Sequence, residues 1–114
     1  MSVVSIDFHS YGGNKMEKME KMERMFINEV TLEDNRSMRL EYNLTENRES
    51  DSSEPYFGIQ IIKLLDDNLE AEEIKGISYS KEKVETMTRI LYQNQVTPIS
   101  MVEIVDDLIT LEDM

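Results

Sequence analysis

From Met38 to Thr45, apolar Met38, Leu40, Tyr42 and Leu44 alternate with polar Arg39, Glu41, Asn43 and Thr45. Successive side chains of a strand point to opposite faces, so this alternation predicts a strand with one buried face and obliges the rest of the chain to cover it. Upstream, Phe26, Val30 and Leu32 share one parity, and the polar run Glu33-Asp34-Asn35-Arg36 separates them from the strand in a hairpin pattern. A two-residue Asp34-Asn35 loop would set Leu32 beside Ser37 and mix the faces. A three-residue loop, Asp34-Asn35-Arg36, pairs Leu32 with Met38, Val30 with Leu40 and Phe26 with Leu44, and is expected with Asn35 or Arg36 left-handed.

Residues 46–54 contain no apolar side chain and end at Pro55, which predicts a mobile surface loop. A third strand follows, with Phe57, Ile59 and Ile61 on one face, and Asp66-Asp67-Asn68 makes the next turn. Glu70, Glu72, Glu73 and Lys75 interrupt the apolar parity of Leu69 to Ile77, so this fourth strand belongs at a sheet edge, where charge blocks stray pairing. Ser78 or Ser80 caps a helix whose Val84, Met87, Thr88 and Leu91 share a face and which ends near Asn94. Thr97-Pro98 starts a second helix. Its Ile99, Met101, Val102, Ile104, Val105, Leu108 and Ile109 make it broadly apolar and predict that it is the better buried of the two.

The expected fold is therefore α+β: an antiparallel meander of three to four strands with a C-terminal pair of helices packed on one face. At 114 residues the chain holds one hydrophobic core. Residues 25–111 are assigned to that single domain. The Met-Glu-Lys repeat between Met16 and Met25 has a period that suits neither a strand nor a helix face, so residues 1–24 are expected to be a leader, either disordered or wrongly included in the translated sequence. Gly12-Gly13-Asn14-Lys15-Met16 back-translates to a purine-rich GGAGG ahead of an ATG, which points to translation starting at Met16.

The chemistry open to such a chain is narrow. It has no cysteine, and its one histidine, His9, lies in the leader, so thiolate nucleophiles, disulfides, imidazole metal sites and histidine-dependent triads have nothing to be built from. Asp66-Asp67 with Glu70, and Asp106-Asp107 with Glu103, are the only plausible clusters for a carboxylate mechanism or a metal site. The first lacks the glycine of a calcium loop, and neighbouring helical aspartates diverge by about 100°. No glycine-rich segment cradles a phosphate. The expectation is no catalytic residue, no metal, no cofactor and no enzyme; a small carboxylate-dependent hydrolase is the remote alternative.

A formal net charge of −12 repels phosphate backbones and anionic lipid, which excludes nucleic acid and membrane as direct partners. No apolar run nears the roughly 18 residues of a membrane span, and the first residues lack the basic start of a secretory signal, which together predict a cytoplasmic protein.

The segment Leu91-Tyr92-Gln93-Asn94-Gln95-Val96-Thr97-Pro98-Ile99, followed by Val102-Glu103-Ile104-Val105-Asp106-Asp107, resembles a family of small uncharacterised clostridial proteins, a domain of unknown function. Tyr56-Phe57-Gly58-Ile59 and Ile77-Ser78 fit the same pattern, so the resemblance covers roughly residues 26 to 109. It implies a compact domain in a bacterial cytoplasm and assigns no activity. What remains is a regulatory or interaction protein that binds another protein, with Tyr92, Asn94 and Gln95 at the inter-helix turn and Asp106 and Asp107 on the second helix as contact residues. A homodimer through an exposed strand edge is one form of such contact. An acidic decoy occupying a basic nucleic-acid-binding protein is the alternative.

Overall fold

In the computed structural model, which describes residues 19–50 and 53–112, the chain runs as four strands followed by two helices. The strands are β1 (Met19–Thr31), β2 (Ser37–Arg48), β3 (Tyr56–Leu65) and β4 (Asn68–Ser78), and the helices are α1 (Lys81–Gln93) and α2 (Pro98–Glu112). The sheet is an antiparallel meander in the order β1-β2-β3-β4. This is the α+β plan expected from the alternation, with β4 at an edge.

On β2 and β3 the alternation sorts as period two demands. Leu40, Tyr42, Leu44, Phe57, Ile59 and Ile61 are buried together with Val84, Met87 and Leu91 of α1, Val96 of the connection, and Met101 and Val105 of α2. Both helices thus cover the same sheet face. Tyr42 anchors the inter-helix turn to the sheet, its hydroxyl donating to the Val96 carbonyl at 2.8 Å. That bond satisfies two polar groups that burial would otherwise leave unpaired.

The β1–β2 register differs from the expected one. Val30 pairs with Met38, Asn28 with Leu40 and Phe26 with Tyr42. Leu32 N–H donates to the Arg36 carbonyl at 2.8 Å, so the loop is Glu33-Asp34-Asn35, one residue earlier than predicted. Asn35 is the left-handed residue, with φ 71°. Asparagine tolerates that region better than arginine. Asp34 locks the choice by accepting from Arg36 N at 3.2 Å and Nε at 2.8 Å. The faces survive because the partner slips by an even number of residues.

Two boundaries also move. Met19 to Arg24, assigned to the leader, form the first half of β1, with Met19 opposite Arg48 and Met22 opposite Thr45. This segment is an edge strand whose side chains from Glu20 to Arg24 are exposed, so it needs backbone pairing but no apolar stripe, and period two leaves no mark on its sequence. A bulge between Arg24 and Phe26 then rephases β1 and returns Phe26 and Val30 to the core side. Likewise Glu46 to Arg48, expected in a loop, extend β2. Residues 1–18, which include the Met16 start and His9, lie outside the described residues, as do 51 and 52.

The helices begin and end through local bonds. Ser80 caps α1, its side chain accepting from Lys83 N–H at 3.2 Å. At the other end Val96 N–H donates to the Leu91 carbonyl and Gln95 N–H to that of Tyr92, with Gln95 at φ 53°. This is a Schellman ending, and the apolar pair that accompanies it is Leu91 and Val96, both in the core. Of the two helices, α2 is the less buried, contrary to expectation. Ile99 is 88% exposed, Val102 49% and Leu111 67%, whereas the predicted face of α1 is wholly buried. A helix resting on a single sheet, with no layer above it, can hide only one stripe however apolar its composition.

Candidate interaction surface

The residues expected to meet a partner divide into two groups. Tyr92 is half-buried and stacks on Phe26 with ring centroids 4.5 Å apart and planes at 13°, while meeting Tyr42 edge-on at 5.9 Å. Its carbonyl also accepts from Asn28 Nδ2 at 2.9 Å. Asn94 is the C-cap of α1, with Nδ2 donating to the Ile90 carbonyl at 2.8 Å. These two side chains fix the helix end. Gln95, Asp106 and Asp107 are exposed. Gln95 belongs to the turn, whereas Asp106 and Asp107 stand a helical turn or more into α2.

Helix α2 carries an inward apolar row and a second, mixed one. Pro98, Met101, Val105 and Leu108 recur at i, i+3, i+7 and i+10 and face the sheet, where Met101 and Val105 are fully buried. A second row with the same spacing is rotated from the first by about 100°: its Ile99, Val102 and Asp106 are exposed, while its last member, Ile109, is half-buried and packs against the core. Composition made α2 look merely apolar. Splitting its apolar residues into two heptad-phased rows was the signal that would have located the outward one.

The charge that α2 itself carries has one sign. Glu103, Asp106, Asp107 and Glu112 are the ionisable residues of α2, which contains no lysine or arginine. A helix C-terminus carries partial negative charge and is ordinarily complemented by basic side chains, so this end of α2 is electrostatically uncomplemented from within its own last turn.

The helix-free face of the sheet is built differently. Asn43, Thr45 and Asn47 alternate along β2 on this face and are only 3%, 3% and 7% exposed. Asn43 Nδ2 donates to Gln60 Oε1 at 2.9 Å, and Thr45 lies over Gly58, where a Cβ would stand 2.9 Å from Thr45 Oγ1 and 2.1 Å from the Ile74 carbonyl oxygen. Lys75 Nζ of β4 reaches Glu20 of β1 at 3.1 Å. Two strands lie between them, about 14 Å at ordinary strand spacing, so the sheet is coiled enough for its edges to meet across this face. Burial raises the Glu73 carboxyl above its usual value, opposed by Lys75, and the bond to Glu20 raises the Lys75 ammonium. The polar row beneath is closed to solvent and offers a partner no side-chain atoms at Asn43 Oδ1, Thr45 Oγ1 or Asn47 Nδ2.

The two acidic clusters remain on the surface. Asp66 is a left-handed turn residue, φ 57°, whose carboxylate pairs with Arg36 at 2.9 Å and so ties the two hairpin loops together. Asp67, Glu70, Glu103, Asp106 and Asp107 are exposed. Among the described residues no three histidine, cysteine or acidic side chains gather as a metal site, and no helix is long and apolar enough to cross a membrane.

Compared with known proteins, the chain matches over residues 16–111 a family described as "Family of unknown function (DUF6514)". No curated protein and no solved structure matches it.

Proposed function

The chain belongs to the DUF6514 family of unknown function, and we propose that it is a non-enzymatic interaction domain whose task is to bind another protein. One observation carries this reading: a domain with its own buried core leaves Ile99 88% exposed beside Val102, itself 49% exposed, on α2. Apolar side chains held in water on a helix contribute little to folding, and their burial against a partner is the return for keeping them there. Gln95, Asp106 and Asp107 stand at or beside this surface and serve as contacts, while Tyr92 and Asn94 hold the turn that presents them. The bacterial and cytoplasmic setting implied by the resemblance belongs to the same proposal.

Affinity purification of the tagged full-length chain from cells that naturally make it, at physiological salt, tests this. The expected result is a partner protein recovered in stoichiometric amount. A monomer from which nothing copurifies, together with a turnover abolished by Glu73→Gln, would replace the interaction reading with an enzymatic one.

A further inference from the structure

We propose that the outward row of α2 docks an amphipathic helix of a partner protein, one with an apolar stripe flanked by lysine and arginine. This rests on the interaction reading and narrows it to one face and one kind of partner. The exposed members of the row, Ile99, Val102 and Asp106, lie at i, i+3 and i+7, the alternating intervals of three and four residues by which one helix reads another, while Ile109 at i+10 packs on the domain's own core. A strand or an irregular loop has no matching repeat along such a row.

Charge selects the occupant. Asp106 sits within the apolar row itself, Glu103 and Asp107 flank it, and α2 has no basic residue to neutralise them. A carboxylate in a helix seam is tolerated when the facing helix brings a cation to it and is costly when the facing position is apolar or acidic. A second copy of this chain would bring Asp106 and its neighbours against the same acidic surface, and the whole molecule, at net charge −12, repels its own kind. Arginine or lysine on the incoming helix answers Asp106 and also complements the C-terminal end of α2, whose last turn holds no basic residue. A partner of this description is heterologous.

The test is a titration of the isotopically labelled full-length chain with two synthetic peptides, followed by NMR. Both peptides carry a leucine stripe at heptad positions; one has lysine and arginine at the flanking positions and its twin has glutamate there. The basic peptide is expected to give saturable shifts confined to residues 99–110. The acidic twin should bind at least about tenfold more weakly, with the gap narrowing as salt rises. Ile99→Asp and Asp106→Lys, both at exposed positions, should each weaken the basic peptide about tenfold while leaving the melting temperature in place, and Asp106→Lys should improve binding of the acidic twin.

Equal affinity for the two peptides would overturn the charge argument. Shifts mapping to the strands, or none with either peptide, would remove α2 as the docking face, and the copurification above would decide independently whether the domain binds proteins at all. A dimer in sedimentation equilibrium that Ile99→Asp dissolves would identify a second copy as the occupant and contradict the proposal.

Discussion

Gln95 occupies the left-handed position of the α1 ending, where the Cβ of any L-residue is crowded and glycine is the usual solution. Its side chain is exposed, so nothing in the packing requires glutamine. Gln95→Gly is expected to raise stability by about 0.5–1 kcal/mol, measured as an upward shift in the urea midpoint, because relief of the left-handed strain outweighs the added freedom of the unfolded chain. Tyr42 presents the opposite situation. Its hydroxyl donates to the Val96 carbonyl at 2.8 Å inside the core, so Tyr42→Phe leaves a buried carbonyl without its partner and should lower stability by about 1–2 kcal/mol. Burial also raises the phenol above its ordinary value of 10.0, with a hydrogen bond from Asn28 opposing. The folded state therefore holds that proton more tightly than the unfolded chain does. This contribution is complete below pH 10 and is lost as pH climbs through the raised folded value. Wild-type stability should consequently fall above pH 10 more steeply than that of Tyr42→Phe, which urea melts across pH 9 to 11 will reveal; parallel slopes would contradict the assignment.

Among the elements, β2, β3 and α1 could be read directly from sequence because each packs an apolar face on the shared core and carries more polar residues on the other, which on β2 are themselves buried at Asn43, Thr45 and Asn47. Leu40, Tyr42 and Leu44 on β2, and Val84, Met87, Thr88 and Leu91 on α1, are buried as their spacing required. The first half of β1 escaped notice for the reverse reason: with Glu20 to Arg24 all exposed, no side chain records the strand, and only the backbone ladder to β2 defines it. The hairpin register turned on which of two adjacent residues took the left-handed slot, a choice made by Asp34 binding Arg36 and not by hydrophobic parity. For α2, apolar content was visible but direction was not. Counting its apolar residues predicted deep burial, whereas Ile99, Val102 and Leu111 have nothing to pack on. The site follows the same division: Asp106 was legible as an exposed acid, while Ile99 and Val102, the side chains that distinguish the surface, read as core. The α1 start offers a check at this scale. Ser80→Ala removes the acceptor for Lys83 N–H and should cost about 1 kcal/mol, seen as a lower thermal midpoint.

For the whole molecule, both helices lie on one face of a four-stranded sheet, and the edges of the other face close over a polar row through Glu20 and Lys75. On α2 the most exposed aliphatic side chain, Ile99, coincides with acidic residues that the helix itself does not neutralise. With 24 acidic against 12 basic residues, the molecule attracts a basic partner at a distance and discourages self-association, while Ile99 and Val102 supply the contact that survives once salt has screened the attraction. The separation of folding from binding is the central claim, and Ile99→Asp tests it most directly. In the wild-type and variant chains, the melting temperature and the yield of copurified partner are measured side by side. A side chain 88% exposed contributes little to the core, so the two melting temperatures should agree within about 3 °C while the partner disappears from the variant. An unchanged yield of partner on a variant that melts like the wild type would contradict the account.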